Sequence, residues 1–329
     1  MMIRLLTMAS LMLGTLLAHA EDGTVRLVFA GDVVLDGKPG AAIQHGEDPF
    51  TGFSALINQA DIRLANLECV VATGGDPVDK NYNFRARPDS LSVLRKHFDV
   101  VTIANNHSGD FGRNAFEEMI TLLPQYGIQF AGGGHNLTEA HRPAIVVRNG
   151  LRIALLGYNE FMPRRFEADA NAAGTAWSED EQVAVDIHRA REIYKADLVI
   201  PVMHWGWENE THSNARQQQL AHLMIAAGAD LVLGTHPHVT QEVEYFQGKP
   251  IFYSIGNFMI DALDNDLQAK AWVVDIELHR QGAGQWRTYV AHLDANGIPT
   301  PVLNELSPCG DARRSDQIDQ CYAGRTQHK

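Results

Sequence analysis

The chain has 329 residues, of which 45% are hydrophobic, and its 27 basic and 40 acidic residues give a net charge of −13. This length is enough to bury one large core, and the acidic balance argues against nucleic acid or an anionic membrane surface as a partner, because both bind basic patches. An anionic substrate is not excluded, because bound cations reverse the local field.

The first twenty residues have the three parts of a secretory signal peptide. Arg4 supplies a basic start, residues 5–17 form an apolar run, and Ala18-His19-Ala20 is a small-residue cleavage site. The run is short for a transmembrane helix. We therefore expect a soluble exported protein that begins near Glu21 and resides in the periplasm or outside the cell. An uncleaved N-terminal anchor is the alternative.

Short apolar runs alternate with longer amphipathic stretches along the rest of the chain, which is the pattern of an α/β fold. In the first half we predict strands at residues 25–30, 62–67, 98–104 and 128–131, and helices at 49–59, 88–97 and 113–125. An Asn-Gly turn at 149–150 joins a predicted hairpin whose strands are 143–147 and 151–157.

The second half repeats the alternation and then becomes rich in strands. We predict helices at 179–195 and 215–227, and strands at 197–203, 231–233, 272–278 and 286–292. One main domain over residues 21–300 is favoured, since no repeat or low-complexity linker interrupts it. Residues 301–329 are expected to form a polar, irregular tail. In an oxidising compartment Cys309 and Cys321 of this tail can form a disulfide, whereas Cys69 is expected to be a buried thiol.

Five predicted strands end in side chains that can bind a metal ion. The motifs are Gly31-Asp32, Asn66-Leu67-Glu68, Asn105-Asn106-His107, His204-Trp205-Gly206 and Gly234-Thr235-His236-Pro237-His238. Ligands of α/β sheets bind beyond the carboxyl ends of the strands, so these motifs can converge on one crevice. Carboxylates, an amide and imidazoles together suit Mn, Fe, Zn or Mg. The sequence therefore predicts a metal centre in which two ions can promote hydrolysis.

Each of these residues also has a plainer interpretation. Asp32 can cap a turn and Asn106 can adopt a left-handed turn conformation. Glu68 can be a solvated charge, while His107 and His204 can be buried histidines satisfied by hydrogen bonds. His236 and His238 are two residues apart in a predicted extended segment, where their side chains would point to one side and bind one ion or two neighbouring ions. Five coincidences at strand ends favour the metal centre.

The order of these motifs resembles that of a known family. Together with Phe29-Ala30-Gly31-Asp32 and Ser254-Ile255-Gly256-Asn257-Phe258, they are typical of the CapA family, the bacterial capsule synthesis proteins also called poly-γ-glutamate synthesis enzymes. The resemblance extends from Val25 to His292. CapA proteins are similar to calcineurin-like metallophosphoesterases, so the resemblance implies an α/β fold built as a four-layer α/β/β/α sandwich, with metal ions at the strand ends.

The resemblance also implies a role for each motif residue. Asp32 and His238 would bind one ion, and Asn106, His204 and His236 would bind the other, with Glu68 between the two ions as a bridge. His107 would be the catalytic histidine that protonates the leaving group or stabilises the transition state. Asn105 and Asn257 would line the cleft.

Two positions depart from the metallophosphoesterase pattern. Those enzymes usually have a histidine two residues after the first aspartate, where this chain has Val34, and their bridging residue is usually aspartate rather than the longer Glu68. Both departures are typical of CapA proteins, so they favour that family over a simple phosphatase.

The resemblance implies a secreted protein of capsule or poly-γ-glutamate biosynthesis. Its expected activity is metal-dependent hydrolysis or transfer, of phosphoester type, on a cell-envelope polymer or its precursor. The expected cofactors are two divalent ions among Mn, Fe, Zn and Mg, and no nucleic acid partner is expected. The alternative is a non-catalytic metal-binding assembly subunit that supports a membrane polymer ligase, synthase or exporter.

Overall fold

The computed structural model describes residues 23–162, 164–314 and 316–323. The expected signal peptide, residues 1–20, lies outside this range. Within the described ranges, no helix combines the length and the apolar character needed to cross a membrane.

The described residues form strands and helices that alternate over most of the chain. The strands are β1 Val25–Val33, β2 Ile62–Leu67, β3 Val70–Val71, β4 Arg85–Ala86, β5 Val100–Thr102, β6 Gln129–Ala131, β7 Gly133–Gly134, β8 Ala144–Arg148, β9 Leu151–Asn159, β10 Gly174–Thr175, β11 Leu198–His204, β12 Val232–Thr235, β13 Val243–Phe246, β14 Lys249–Phe252, β15 Asn257–Met259, β16 Lys270–His279, β17 Gly282–Leu293, β18 Pro299–Val302, β19 Leu306–Asp311 and β20 Asp319–Tyr322. The α-helices are α1 Gly37–Gln44, α2 Ser54–Ile57, α3 Leu91–His97, α4 Gly112–Gln125, α5 Leu137–Ala140, α6 Asp180–Glu192 and α7 Ala215–Ala226. Short 3-10 helices cover Thr51–Phe53, Pro88–Ser90 and Asp266–Ala269.

Two large sheets organise these strands. The first has the order β20-β19-β17-β16-β1-β2-β5-β6, with β15 also paired to β1 and β18 to β17, and the second has the order β13-β14-β12-β11-β9-β8. Strands β1, β2, β5 and β6 are parallel to one another. In the second sheet β9, β11, β12 and β14 are parallel. Parallel strands end at a common edge, so each sheet presents one row of carboxyl ends.

The two sheets pack face to face and carry helices on their outer faces. Leu27 and Phe29 of β1 join Ile153 of β9 and Ile200 of β11 in a core between the sheets. The alternate residue Val28 packs instead in a second core with residues of α3 and α4. A third core joins the outer face of the second sheet to α6 and α7. Side chains alternate between the faces of a strand, so strands that are apolar on both faces build these layers. The predicted four-layer α/β/β/α sandwich is confirmed.

Local structure departs from the predictions where glycine and proline complicate the pattern. Helix α1 was not predicted, because its sequence begins Gly-Lys-Pro-Gly and lacks an apolar period. The predicted helices 49–59 and 88–97 both begin as 3-10 turns.

The expectation of an irregular tail after residue 300 is wrong for the residues described there. Strands β18 and β19 pair with β17, and β20 pairs with β19, so this segment extends the first sheet. Cys309 and Cys321 lie on β19 and β20 and form a disulfide. Short strands with a half-polar pattern at a sheet edge are hard to distinguish from loops by sequence.

Candidate metal centre

The carboxyl ends of strands from both sheets position the candidate ligands. In the first sheet Asp32 at the end of β1 is opposite Asn66 of β2, and in the second sheet His204 at the end of β11 is opposite Thr235 of β12. The register of β1 shifts just before Asp32, at Gly31. Gly31 has φ +79°, and a Cβ atom there would lie 2.7 Å from the backbone oxygen of Gly256. Only glycine permits this close approach.

Asp32 is fully buried and is held by two donors. Its Oδ1 accepts a hydrogen bond from Asn66 Nδ2 at 2.7 Å, and its Oδ2 accepts one from the backbone N–H of His236 at 3.3 Å. Burial, followed by the negative charge of Glu68, raises the pKa of Asp32. Two buried carboxylates therefore face one another, and keeping both ionised calls for positive charge nearby.

Glu68 lacks the hydrogen bonds that a buried carboxylate normally has. Among the described residues, neither of its carboxylate oxygens has a hydrogen-bond partner. Its Oε1 lies 3.3 Å from His204 Nε2 and 3.9 Å from His238 Nε2. Burial alone would raise its pKa, but the neighbouring His204 and His238 outweigh this effect and lower the pKa of Glu68. A buried ionised carboxylate without hydrogen bonds is costly unless it is paired or coordinates a metal ion. Glu68 therefore fits a metal ligand.

The ring of His204 is held through its Nδ1 atom by two neighbours. Thr235 Oγ1, which donates to the backbone oxygen of Met203 at 3.2 Å, lies 3.1 Å from His204 Nδ1. Asn66 Nδ2, which also donates to Asp32, lies 3.3 Å from the same ring nitrogen. Around Nε2 lie Asn106 Oδ1 at 2.7 Å, His236 Nδ1 at 3.0 Å and Glu68 Oε1 at 3.3 Å. An amide oxygen, an imidazole nitrogen and a carboxylate oxygen thus converge on Nε2, and these are atom types that bind divalent cations.

The ring of His238 is oriented by an amide. Asn257 Nδ2 donates to the backbone oxygens of His238 and Gln268, so Asn257 Oδ1 is the acceptor for His238 Nδ1 at 2.8 Å. The proton of His238 then lies on Nδ1, and Nε2 is the nitrogen available to a metal. Burial lowers the pKa of His238, but Glu68 and Asp32 outweigh it and the net shift is upward. Asn257 is therefore a buried residue that positions His238, a contact that the sequence did not indicate.

His236 reaches the site by a different backbone route from the one expected. Strand β12 ends at Thr235, and His236 and His238 have φ values of +94° and +60°, so the predicted extended segment is wrong. Non-glycine residues with positive φ are strained and are found at functional sites. Burial, then the charge of His204, lowers the pKa of His236, so its ring is neutral. Within the described part of the chain, His236 Nε2 has no hydrogen-bond partner.

The side chains form two groups that share one residue. Ligand atoms of Glu68, His204 and His236 lie within 4.8 Å of one another, and so do those of Asp32, Glu68 and His238. Asn106 adds an amide oxygen to the first group through its 2.7 Å contact with His204. The structure therefore brings together all six side chains predicted as ligands, with Glu68 common to both groups. This donor set fits divalent metal ions.

His107 lies beside these groups in a contact network of its own. Its Nδ1 lies 2.8 Å from Oδ2 of the buried Asp110, which also accepts from the backbone N–H of Phe84. Lys80 forms an ion pair with Asp110 and donates to the backbone oxygen of Asn106 at 3.0 Å. His107 is close enough to contribute to the lowered pKa values of Glu68 and His236. Lys80 Nζ also lies 3.1 Å from His107 Nδ1, so Asp110 and Lys80 both hold the ring through this nitrogen.

Asn105 is fully buried rather than exposed to the cleft. Its Nδ2 donates to the backbone oxygen of Leu67, and its Oδ1 accepts from the backbone N–H of His107, so it ties β2 to the His107 loop. Asn66 and Asp110 were not selected from the sequence. Both lie within three residues of a predicted site residue, which was the signal available in the sequence. Asn66 is two residues before Glu68, and Asp110 is three residues after His107.

Comparison with known proteins identifies the family. A family model for the bacterial capsule synthesis protein PGA_cap matches residues 26–262. The chain belongs to this family, and the predicted resemblance to CapA proteins is confirmed. The PGA biosynthesis protein CapA of Bacillus subtilis is 32% identical over 293 residues, which cover 87% of this chain and 76% of that protein.

Two further proteins show how far the similarity extends. A Mycobacterium tuberculosis protein named "probable polyglutamine synthesis accessory protein" is 31% identical over 214 residues, which cover 61% of this chain and 56% of that protein. Among solved structures, Haemophilus influenzae NAD nucleotidase (NadN) is similar at a TM-score of 0.47 and 11% identity, covering 85% of this chain and 60% of that one. This chain thus spans less than two thirds of the nucleotidase.

Proposed function

We propose that this chain is a metal-dependent hydrolase or transferase of phosphoester type that acts on a cell-envelope polymer or its precursor. The pathway, capsule or poly-γ-glutamate synthesis, is supported by the family and by the B. subtilis relative. The observation that carries the activity is the pair of acid–imidazole groups sharing Glu68, beside the His107–Asp110 contact.

The residues present would hold two divalent cations. Asp32 and His238 would bind one, and Asn106, His204 and His236 would bind the other, with the buried Glu68 contacting both. Bound cations at such a site supply Lewis acidity toward water and toward a phosphoryl oxygen. Asn257 holds the ring proton of His238 on Nδ1, which keeps its Nε2 free to bind, and Thr235 and Asn66 hold the ring of His204 through its Nδ1.

His107 is placed to handle the proton of the leaving group. With Nδ1 directed to Asp110, its Nε2 is the atom that would hold and donate a proton to the departing oxygen. Asp110 orients the His107 ring through Nδ1, and Lys80 balances the charge of Asp110. Asp110 acts through His107 and is a positioning residue.

Replacing His107 by Gln should lower kcat by about 100-fold or more on a phosphodiester with a basic leaving group, such as diphenyl phosphate, because proton transfer to the departing oxygen is lost. Asp110→Asn should lower kcat less, because His107 keeps its ring but loses the carboxylate that orients it. Steady-state kinetics with Mn²⁺ or Zn²⁺ measure both effects. His188→Gln is the matched control, because His188 is an exposed histidine on α6.

Analysis of the bound metal in each variant distinguishes loss of catalysis from loss of the cations. The His107 and Asp110 variants should retain the cations of the wild-type protein, since neither residue is a proposed ligand. If His107→Gln hydrolyses the phosphodiester at the wild-type rate with its cations bound, the catalytic role of His107 is wrong.

We also propose that the protein is exported to the periplasm or beyond. The disulfide between Cys309 and Cys321 supports an oxidising compartment. A mature N-terminus at Glu21 in the periplasmic or extracellular fraction would agree with export, and an intact chain retained in the cytoplasm would contradict it.

A non-catalytic role is the second candidate. It is supported by the M. tuberculosis relative, whose name describes an accessory protein. In this role the metal centre would be structural and the chain would support a membrane synthase or exporter. Stoichiometric capture of a membrane partner, with polymer production unaffected by His107→Gln, would favour this candidate over the enzyme.

A further inference from the structure

A third acidic side chain lies at the metal centre, and the sequence did not single it out. Glu208 is an exposed residue in the loop between β11 and α7, four residues after His204. One of its carboxylate oxygens and ring nitrogens of His236 and His238 all lie within 4.8 Å of one another. These two histidines belong to different groups of the site, so Glu208 is close to both groups.

The loop that carries Glu208 is fixed by its neighbours. The next residue, Asn209, has φ +67°, and its backbone N–H donates to the oxygen of Pro237 at 2.9 Å. Asn209 Oδ1 also accepts hydrogen bonds from Asn265 Nδ2 at 2.6 Å and Gln268 Nε2 at 3.0 Å. Because Pro237 separates His236 from His238, these contacts attach the loop directly to the histidine segment. The position of Glu208 therefore follows from the fold.

Two features next to the Glu208 carboxylate leave room for a further ligand. His236 Nε2 is buried and, among the residues that the structure describes, has no hydrogen-bond partner. The group of Asp32, Glu68 and His238 offers three protein ligands, whereas the other group gains a fourth from Asn106. A hard carboxylate ligand suits the divalent cations expected here.

We propose that Glu208 is a further ligand of the cation held by Asp32, Glu68 and His238. This inference rests on the proposed two-cation site and adds an exposed ligand to it. Ligand atoms within 4.8 Å of one another are close enough to share an ion, because ligand oxygens lie about 2.0–2.6 Å from such cations. The competing explanation is a solvated acid that acts only through its charge.

Isothermal titration of Mn²⁺ into the metal-free full-length mature protein distinguishes the two explanations. Glu208→Gln should weaken one of the two binding events by about 10-fold or more, the order seen when a supporting contact of a metal site is lost. Glu208→Asp should weaken the same event, because the carboxylate keeps its charge but loses one methylene of reach. Glu210→Gln is the matched control, since Glu210 is an exposed acid in the same loop and belongs to none of the metal-competent groups.

The outcomes that overturn the inference differ from those that overturn the proposed function. Two Mn²⁺ equivalents in the wild type, with unchanged affinities in Glu208→Gln, would reject the ligand role alone. Wild-type affinity in Glu208→Asp, with equal losses in Glu208→Gln and Glu210→Gln, would show a charge effect and also reject it. Fewer than two equivalents in the wild type would reject the two-cation site and the ligand role together.

Discussion

Neighbouring side chains hold the histidine rings of the site in place. The Thr235 hydroxyl and the Asn66 amide contact Nδ1 of His204, and the Asn257 amide oxygen accepts from Nδ1 of His238. Thr235 and Asn257 each donate to a backbone oxygen, so the ring orientations are set before any cation binds. Such supporting contacts are what orient the ligands of metal sites. At the scale of the residue, preorganisation is the main property of this centre.

Asn257→Ala tests this preorganisation. Without the Oδ1 acceptor, His238 can rotate and exchange its ring proton, so Mn²⁺ affinity should fall by about 10-fold. Calorimetric titration measures the change, and Asn296→Ala, at an exposed turn, provides the control. Wild-type affinity in Asn257→Ala would mean that the amide has no part in orienting His238.

Strand ends explain why much of the site could be predicted from the sequence. The bounds of β2 were predicted without error, and those of β11 and α4 to within one residue, because their apolar patterns are regular. Parallel strands then bring their carboxyl ends together, which is why Asp32, Glu68 and His204 could be predicted as parts of one site. The positive φ values of His236 and His238 could not be predicted, since they depend on packing between loops distant in sequence. Glu208 and Lys80 were missed for the same reason.

The first sheet and its outer helices are joined by an ion-pair network with its own pH dependence. Asp99, just before β5, accepts two hydrogen bonds from Arg63 of β2 and one from Arg95 of α3. Burial would raise the pKa of Asp99, but the hydrogen bond and charge of Arg63, with the charge of Arg95, outweigh it and lower the pKa. The stabilisation is therefore complete above the unfolded-state pKa and is lost as the pH falls through the lower folded-state pKa.

Asp99→Asn should lower the free energy of unfolding by roughly 1–3 kcal/mol near neutral pH, because charge-assisted hydrogen bonds are lost. Below the folded-state pKa the wild-type carboxyl is protonated, so the difference should shrink toward zero. Urea unfolding at about pH 7 and at successively lower pH follows this difference. Asp89→Asn, which removes an exposed pair with Arg87, is the control. A difference that does not depend on pH would contradict the ion-pair account.

At the scale of the whole molecule, the metal centre connects the two halves of the sandwich. Asp32 and Glu68 lie at or just after the ends of strands of the first sheet, whereas His204, His236 and His238 lie at or just after the ends of strands of the second. A cation bound by ligands from both sheets stabilises the folded state by linkage, by about 2.7 kcal/mol when free metal is 100 times its Kd. Folding and metal binding are therefore expected to be coupled across the layers.

The central claim is that two cations bind and that Glu68 contacts both. Calorimetric titration of Mn²⁺ into the metal-free protein tests it most directly. We predict two equivalents for the wild type, one for Asp32→Asn, one for His204→Ala, and weakened binding of both ions in Glu68→Gln. A wild-type protein that binds fewer than two equivalents, or a Glu68→Gln variant that binds two with wild-type affinity, would contradict the claim.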